Sequence, residues 1–208
     1  MSAFSLRPAL ADDPALTDNP VTVLALGDSL TAGYGLKQGE GFADQLGTAF
    51  RKMGRPVTVI NGGVSGDTSA GGLSRIDWAL SDKPAVVILE LGANDMLRGI
   101  NPDSTRANLS AIIAKAKAAG AKVLLCGMKA QRNLGADYVQ RFDTIYPDLA
   151  QETGATLYPF FMDGIIAADG TADTKLLQPD GLHPTEAGAK VIVDRMMPIL
   201  LKLLDGTG

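Results

Sequence analysis

The stretch Val21-Thr-Val-Leu-Ala-Leu-Gly-Asp-Ser-Leu30 indicates the fold class of this 208-residue chain. Its first six residues are nearly all apolar, which predicts a buried β-strand over residues 21–26. Gly27 and Asp28 are turn-forming residues, so we expect the strand to end there. Ser29 then lies at the end of the strand, a position from which a nucleophilic side chain can project.

The same alternation of short apolar runs and longer amphipathic segments continues along the chain. Five strands are predicted, at residues 21–26, 57–60, 85–91, 123–126 and 156–158. Helical spacing predicts five helices, at residues 42–53, 69–80, 102–119, 138–153 and 185–204, and Pro198 is expected to kink or shorten the last. The strands are apolar along their length, which suits a parallel sheet covered on both faces. We therefore expect an α/β fold, a three-layer α/β/α sandwich around a five-stranded parallel sheet of flavodoxin-like order 2-1-3-4-5.

Polar residues cluster where three of these strands end. Residues 27–35, 61–72 and 92–99 each mix glycine with Ser, Asp or Asn. Ligands of open parallel sheets bind outside the carboxyl ends of the strands. Asp180 and His183 precede the final helix and can reach the same edge, so this edge is the predicted site.

A serine hydroxyl is a poor nucleophile near neutral pH and needs a base, which in turn needs an orienting acceptor. His183 is the only histidine of the chain, so it is the only imidazole that can serve as the base. Asp180 lies three residues before it and can contact the ring locally. Ser29, Asp180 and His183 are therefore the predicted catalytic residues.

Acyl transfer also needs hydrogen-bond donors aimed at the oxyanion that develops during the reaction. Gly66 allows its backbone amide to approach a substrate closely, and Asn94 offers an uncharged NH2 donor. The amide of Ser29 is the third predicted donor. Asp28 and Asp95 are expected to be structural, bonding loop amides as Asx turns do.

Composition limits the class of protein further. With 46% hydrophobic and 20% charged residues, the chain suits one globular domain, expected over residues 21–205. The net charge is −4 and the sequence contains no basic stripe, so nucleic acid is not an expected partner. The expected partner is a small molecule. The single cysteine, Cys126, has no internal disulfide partner and is expected to be buried. One cysteine and one histidine make no soft-ligand cluster, so no metal is predicted.

The N-terminal residues 1–20 are interpreted as a flexible tail or a leader remnant. Ala9-Leu10-Ala11 resembles a signal-peptidase site, but Arg7 and Pro8 interrupt the apolar region that a leader needs. No apolar run reaches the roughly 18 to 20 residues of a membrane-spanning helix, so no integral membrane association is expected. The oligomeric state is not predicted.

A nucleotide- or flavin-binding module of flavodoxin-like fold is the alternative from another class, since glycine-rich loops after strands also cradle phosphates. Residues 27–31 lack the Gly-Lys-Ser/Thr ending of a P-loop. The glycines at positions 33 and 35 are followed by Gly39, which is not the dinucleotide spacing. The spacing argues against this alternative.

Four sequence blocks resemble the GDSL or SGNH hydrolases, named for the Ser, Gly, Asn and His of these blocks. The blocks are LGDSLTAGY (26–34), NGGVSGDT (61–68), ELGAND (90–95) and DGLHP (180–184). Their order and spacing resemble the bacterial branch with arylesterases and multifunctional thioesterase and lysophospholipase enzymes. A GDSL tetrapeptide alone is a weak signal, but four blocks in order on compatible elements are a strong one.

The resemblance implies that Ser29 is the nucleophile, His183 the base and Asp180 its orienter. It implies an oxyanion hole of the Ser29 and Gly66 amides and the Asn94 side chain, with no cofactor. The expected activity is hydrolysis of aryl or alkyl carboxylic esters with short to medium acyl groups. Thioester substrates, a lysophospholipase and a carbohydrate acetylesterase stay open, as do a periplasmic or secreted location and a cytoplasmic one.

The resemblance also indicates which segment borders the acyl site. The residues after Asn94 are expected to line it, with Met96, Leu97 and Ile100 as predicted contacts. Leu182, beside the histidine, is the fourth predicted substrate-binding residue. The segment 128–137 is interpreted as a flap.

Overall fold

The computed structural model describes residues 20–206, and its centre is a five-stranded parallel sheet. The strands are β1 (Val21–Gly27), β2 (Val57–Gly63), β3 (Val86–Glu90), β4 (Lys122–Cys126) and β5 (Thr156–Tyr158). They lie in the order β2-β1-β3-β4-β5, as predicted. In the register, Gly27 at the end of β1 is paired with Gly63 and with Glu90, so three strands end level with one another.

Eight α-helices occur in the described part of the chain. They are α1 (Ser29–Ala32), α2 (Phe42–Lys52), α3 (Ser69–Ala79), α4 (Ala93–Leu97), α5 (Pro102–Ala118), α6 (Ala136–Asp143), α7 (Ile145–Thr153) and α8 (Glu186–Asp205). Two 3-10 turns, Leu80–Asp82 and Arg132–Leu134, accompany them. The helices flank the sheet, and the predicted three-layer α/β fold is confirmed.

The core confirms why the strands contain little polar sequence. All five residues of β3 are buried, and so are Val23 to Leu26 of β1. Helices cover both faces, so neither side of these strands needs a polar residue. Cys126 is a free and buried cysteine at the end of β4, as expected.

The helices differ from the predictions in several places. The helix predicted over 138–153 is divided at Thr144 into α6 and α7. Pro147 is the reason, because its ring clashes with the carbonyl four residues earlier and it lacks an N–H. The short helices α1 and α4 fall in segments that were predicted as loops. Pro198 does not shorten α8, which runs on to Asp205 because its apolar face is buried on both sides of the proline.

Residues 1–19 and 207–208 lie outside the described part of the chain. The predicted tail or leader therefore stays a prediction, and so does the single catalytic domain over 21–205. Within residues 20–206, no helix is both long and apolar enough to cross a bilayer.

Candidate active site

The turn after β1 holds Ser29 at the first position of α1. Asp28 caps this helix, because its Oδ1 accepts a hydrogen bond of 3.0 Å from the Leu30 amide. Gly27 is needed just before it, since a Cβ there would collide with the side chains of Thr31 and Glu90. Local sequence therefore forms a tight strand-to-helix turn that presents the Ser29 hydroxyl at the sheet edge.

His183 reaches this hydroxyl from a loop before α8. Its Nε2 lies 2.9 Å from Ser29 Oγ, and its Nδ1 lies 2.6 Å from Asp180 Oδ2. Both distances lie in hydrogen-bond range, and the two ring nitrogens face different partners. The structure thus brings together the three predicted catalytic residues in the order nucleophile, base and orienting carboxylate.

Asp180 is held by its own loop as well as by the imidazole. Its Oδ1 accepts hydrogen bonds from the amides of Leu182, at 2.9 Å, and His183, at 3.0 Å. These backbone bonds, followed by the bond to the His183 ring, lower the pKa of Asp180 to about 2. The carboxylate therefore stays ionised near neutral pH and fixes which ring nitrogen carries the proton.

Gln178 joins the histidine loop to the serine loop, a function that sequence reasoning missed. Its backbone N–H donates to the His183 carbonyl at 2.7 Å, and its side-chain Nε2 donates to the Tyr34 carbonyl at 2.7 Å. The Tyr34 ring also lies 4.7 Å, centre to centre, from the imidazole. These contacts hold the imidazole over Ser29 from two sides.

The three predicted oxyanion donors line one cavity. Among the described residues, the backbone N–H groups of Ser29 and Gly66 donate to no protein acceptor. Gly66 has φ +83°, a conformation that favours glycine. Asn94 uses its side-chain nitrogen to donate to Asp28 Oδ2 at 2.9 Å, which orients the amide and leaves its second N–H for a ligand.

Two arginines brace the loops that carry these donors. Arg75, on α3, donates to the Gly27 carbonyl at 2.9 Å, to the Gly62 carbonyl at 2.7 Å and to Asp67 Oδ2 at 2.7 Å. Arg98, just after α4, donates to the Gly66 carbonyl at 2.7 Å. A guanidinium can serve several acceptors in one plane, so Arg75 links the ends of β1 and β2 to the Gly66 loop.

Arg75→Lys is expected to lower kcat by about 10- to 100-fold, because an ammonium cannot replace three planar bonds and small displacements of a site are costly. Steady-state kinetics on a soluble ester, with thermal denaturation in parallel, measures this. Arg106→Lys is the matched control, since Arg106 pairs with Glu152 at the surface. Equal kcat values for the two folded variants would contradict the bracing function.

Asp28 and Asp95, the two motif acids expected to be structural, are buried and hydrogen-bonded. Asp95 accepts from the Ser69 amide at 2.7 Å and the Thr105 hydroxyl at 3.1 Å, so it joins α3 to α5. Asp28 caps α1 and holds Asn94, and burial raises its pKa to about 6 although the bonds from Leu30 and Asn94 oppose that shift. Neither contacts the Ser29 hydroxyl, which agrees with the expected structural function.

The cavity beside Ser29 has a volume of about 450 Å³. Of the predicted substrate contacts, Met96, Leu97 and Leu182 line it and Ile100 does not. The chain has already turned away at Ile100, whose amide bonds to the Asp95 carbonyl and whose carbonyl accepts from Tyr138.

The far wall of the cavity includes Met128 of the predicted flap and three residues that were not predicted, Phe160, Met162 and Ile166. These apolar residues follow β4 and β5. Ligands of parallel sheets bind beyond the carboxyl ends of the strands, and the position of these residues after β4 and β5 is the signal that could have indicated them. Residues 128, 129 and 131 of the predicted flap line the cavity. Asp143 holds this segment, because its carboxylate accepts hydrogen bonds from the Ala130 amide and the Arg132 side chain.

Among residues 20–206, no group of three or more His, Cys, Asp or Glu side chains is arranged to hold a metal ion. The absence of a metal and of a cofactor stays a prediction.

A parallel α/β sheet with a Ser-His-Asp arrangement at its carboxyl edge defines the class of α/β serine hydrolases. Within that class, residues 25–191 match the GDSL-like Lipase/Acylhydrolase family. The chain belongs to this family, and the predicted class, an ester hydrolase of the GDSL type, is confirmed.

Relatives with assigned names are similar over most of the chain. Esterase TesA of Pseudomonas aeruginosa is 39% identical, and the match covers 88% of this chain and 89% of the relative. Thioesterase 1/protease 1/lysophospholipase L1 of Escherichia coli K12 is 36% identical, covering 88% and 85%. The crystal structure of the psychrotrophic esterase EstA from Pseudoalteromonas sp. has a TM-score of 0.81 at 36% identity, covering 88% and 98%.

Proposed function

We propose that this protein hydrolyses carboxylic esters of short to medium acyl chains through an acyl-enzyme on Ser29. The observation that carries the proposal is the bonded series Ser29, His183 and Asp180, at 2.9 and 2.6 Å, beside an apolar cavity. Fold alone would not indicate the chemistry, because one fold serves many functions.

The first step forms the acyl-enzyme. Ser29 Oγ attacks the ester carbonyl carbon while His183 Nε2 takes the hydroxyl proton. The carbonyl oxygen becomes an oxyanion beside the Ser29 and Gly66 amides and the Asn94 side chain. Each such donor contributes roughly 3 to 4 kcal/mol to the transition state. The bond from carbon to the leaving oxygen then breaks, and the proton passes from Nε2 to the departing alcohol.

The second step releases the acid. Water attacks the acyl carbon while Nε2 takes its proton, and a second oxyanion forms in the same place. The bond from carbon to Ser29 Oγ breaks, and the proton returns to the hydroxyl. Asp180 stabilises the imidazolium in both steps without taking a proton itself.

The cavity supports an acyl chain rather than a sugar as the main recognition element. Its lining includes the buried side chains of Met96, Met128 and Met162 and the exposed side chains of Leu97 and Leu182. Methionine is flexible and fits apolar groups of different shape. Together these features favour a broad range of short to medium chains, since the volume exceeds what an acetyl group requires.

A panel of 4-nitrophenyl esters of increasing chain length tests the proposal, beside acyl thioesters, lysophospholipid and acetylated sugar. We expect the highest kcat/KM on a short or medium ester. Highest turnover on the longest chains, or on acetylated sugar, would contradict the substrate assignment. No hydrolysis of any member would contradict the function itself.

Lysophospholipid or thioester hydrolysis is the second candidate, because the Escherichia coli relative carries both activities in its name and the apolar cavity suits either acyl group. Fatty-acid release from lysophospholipid at a kcat/KM above that for the esters would favour it.

Widening the cavity should change chain-length preference. Ile166 lines the far wall and is half-buried, so Ile166→Ala is expected to raise the ratio of kcat/KM for long over short esters by about tenfold, the lower end of what one methylene contributes in an apolar pocket. Ile100→Ala is the matched control, because Ile100 lies outside the cavity. An identical ratio in both variants would remove Ile166 from the acyl site.

A further inference from the structure

Glu90 is a carboxyl group buried behind the candidate active site. It is the last residue of β3 and is 0% exposed. It pairs with Gly27, the last residue of the neighbouring strand β1. Its Oε2 accepts hydrogen bonds from the Asp28 amide, at 3.2 Å, and from the Thr31 hydroxyl, at 2.7 Å. Both donors belong to the turn that holds Ser29.

The other oxygen of Glu90 has no hydrogen-bond partner within residues 20–206. In the same part of the chain, no Lys, Arg or His forms an ion pair with this carboxyl. An isolated ionised carboxylate in such a place would be very costly, whereas a neutral acid costs far less even with its O–H unbonded. A proton on the unpartnered Oε1 therefore removes the charge and leaves Oε2 free to accept both bonds.

The surrounding titratable groups favour the same state. Three of them lie close enough for their charge to interact with that of Glu90: Asp28 in the turn after β1, Cys126 on β4 and Tyr146 on α7. His183, in the loop before α8, acts on Asp28. Burial first, and then the charge of Asp28, raise the pKa of Glu90 well above its usual value. Burial also raises the pKa values of Cys126 and Tyr146, so neither supplies charge near neutral pH.

We propose that Glu90 is a positioning residue that works as a neutral carboxylic acid: it fixes the Asp28–Thr31 turn and thereby the Ser29 nucleophile and its amide. Asp28 extends this arrangement to the oxyanion hole, since its Oδ2 accepts from Asn94. Only one of the two adjacent carboxyls then carries charge behind the oxyanion. A second negative charge there would oppose the charge that develops in the reaction.

Two variants of Glu90 separate a neutral acid from a carboxylate. Glu90→Gln keeps an oxygen that accepts both bonds, so kcat is expected to stay within about threefold of wild type. This change is much smaller than the roughly 100-fold loss of rate that a displaced active site can cause. Glu90→Leu leaves both donors unsatisfied, so kcat is expected to fall by about 100-fold while KM changes by less than about threefold. A loss in Glu90→Gln as large as in Glu90→Leu would overturn the neutral acid.

Thr31 provides the same test if Glu90→Leu does not fold. Thr31→Ser keeps the hydroxyl that bonds Oε2 and is expected to retain kcat, whereas Thr31→Val is expected to lower it by about tenfold. Wild-type kcat in Thr31→Val would overturn the positioning function. Since the inference rests on the proposed function, labelling of Ser29 by a fluorophosphonate is measured alongside. An unlabelled wild-type protein would refute the esterase mechanism, while rapid labelling with no loss in Thr31→Val refutes the inference alone.

Thermal stability tests the protonation state without any substrate. The unfolded chain releases the Glu90 proton near its ordinary pKa of about 4.3, whereas the folded protein keeps it. Wild type therefore loses stability relative to Glu90→Gln as the pH rises above that value. We expect the Tm of Glu90→Gln minus that of wild type to grow steadily from about pH 5 to about pH 8. A constant difference would show that Glu90 titrates normally and would overturn the inference.

Discussion

Ser29→Ala is expected to lower kcat by about four orders of magnitude or more while the protein stays folded. The variant removes the only atom that forms the covalent intermediate and leaves the oxyanion donors in place. The Ser29 hydroxyl contacts His183 Nε2, so its loss affects the surrounding packing little. Initial rates on a short 4-nitrophenyl ester, with thermal denaturation as the measure of folding, check both parts.

Ser74→Ala is the matched control, because the Ser74 hydroxyl bonds the Gly71 carbonyl on the exposed side of α3. A fluorophosphonate should label wild type and Ser74→Ala with one group per chain and should not label Ser29→Ala. Activity in Ser29→Ala above about a tenth of wild type would remove Ser29 from the nucleophilic position.

Asp180→Asn is expected to reduce kcat by about 10³- to 10⁴-fold, because an amide cannot stabilise the imidazolium and favours the wrong ring tautomer. The effect on stability should be small, since the Asp180 side chain is 38% exposed and solvent screens its charge. Kinetics at saturating ester and a Tm measurement separate the two effects.

The pH dependence of Asp180 has a definite sign. Its folded pKa, about 2, lies below the ordinary value of 3.8, so its stabilising contribution is present above pH 3.8 and is lost only as the pH falls towards 2. Asp169→Asn is the control, because Asp169 also accepts a backbone bond, from Thr171, but contacts no histidine. Comparable kcat losses in the two variants would contradict an orienting function for Asp180.

Most of the fold could be predicted from local patterns. The apolar runs placed all five strands within about one to three residues of their observed bounds, which is the usual uncertainty of boundaries. The division of α6 from α7 could also be predicted, because Pro147 marks it, but the overall helical spacing of 138–153 hid that signal. The short helices α1 and α4 could not be predicted, since four or five residues show no periodicity.

The candidate site also contains residues that could be predicted from the sequence and residues that were not. Ser29, Gly66, Asn94, Asp180 and His183 belong to recognisable motifs, and the structure places them around one cavity. The bracing by Arg75, the buried acid Glu90 and the far wall were not predicted. Each depends on contacts between elements that are distant in the sequence.

The linear order of residues was sufficient to predict the five strands, most of the longer helices and the identity of the reactive side chains. Those properties follow from periodicity, turn chemistry and motif spacing, which act over a few residues. The contact between Ser29 and His183 spans 154 positions, and the shape of the acyl cavity depends on loops after β4 and β5. Folding alone brings such distant segments together, because burial of the sheet sets the distances between its strand ends.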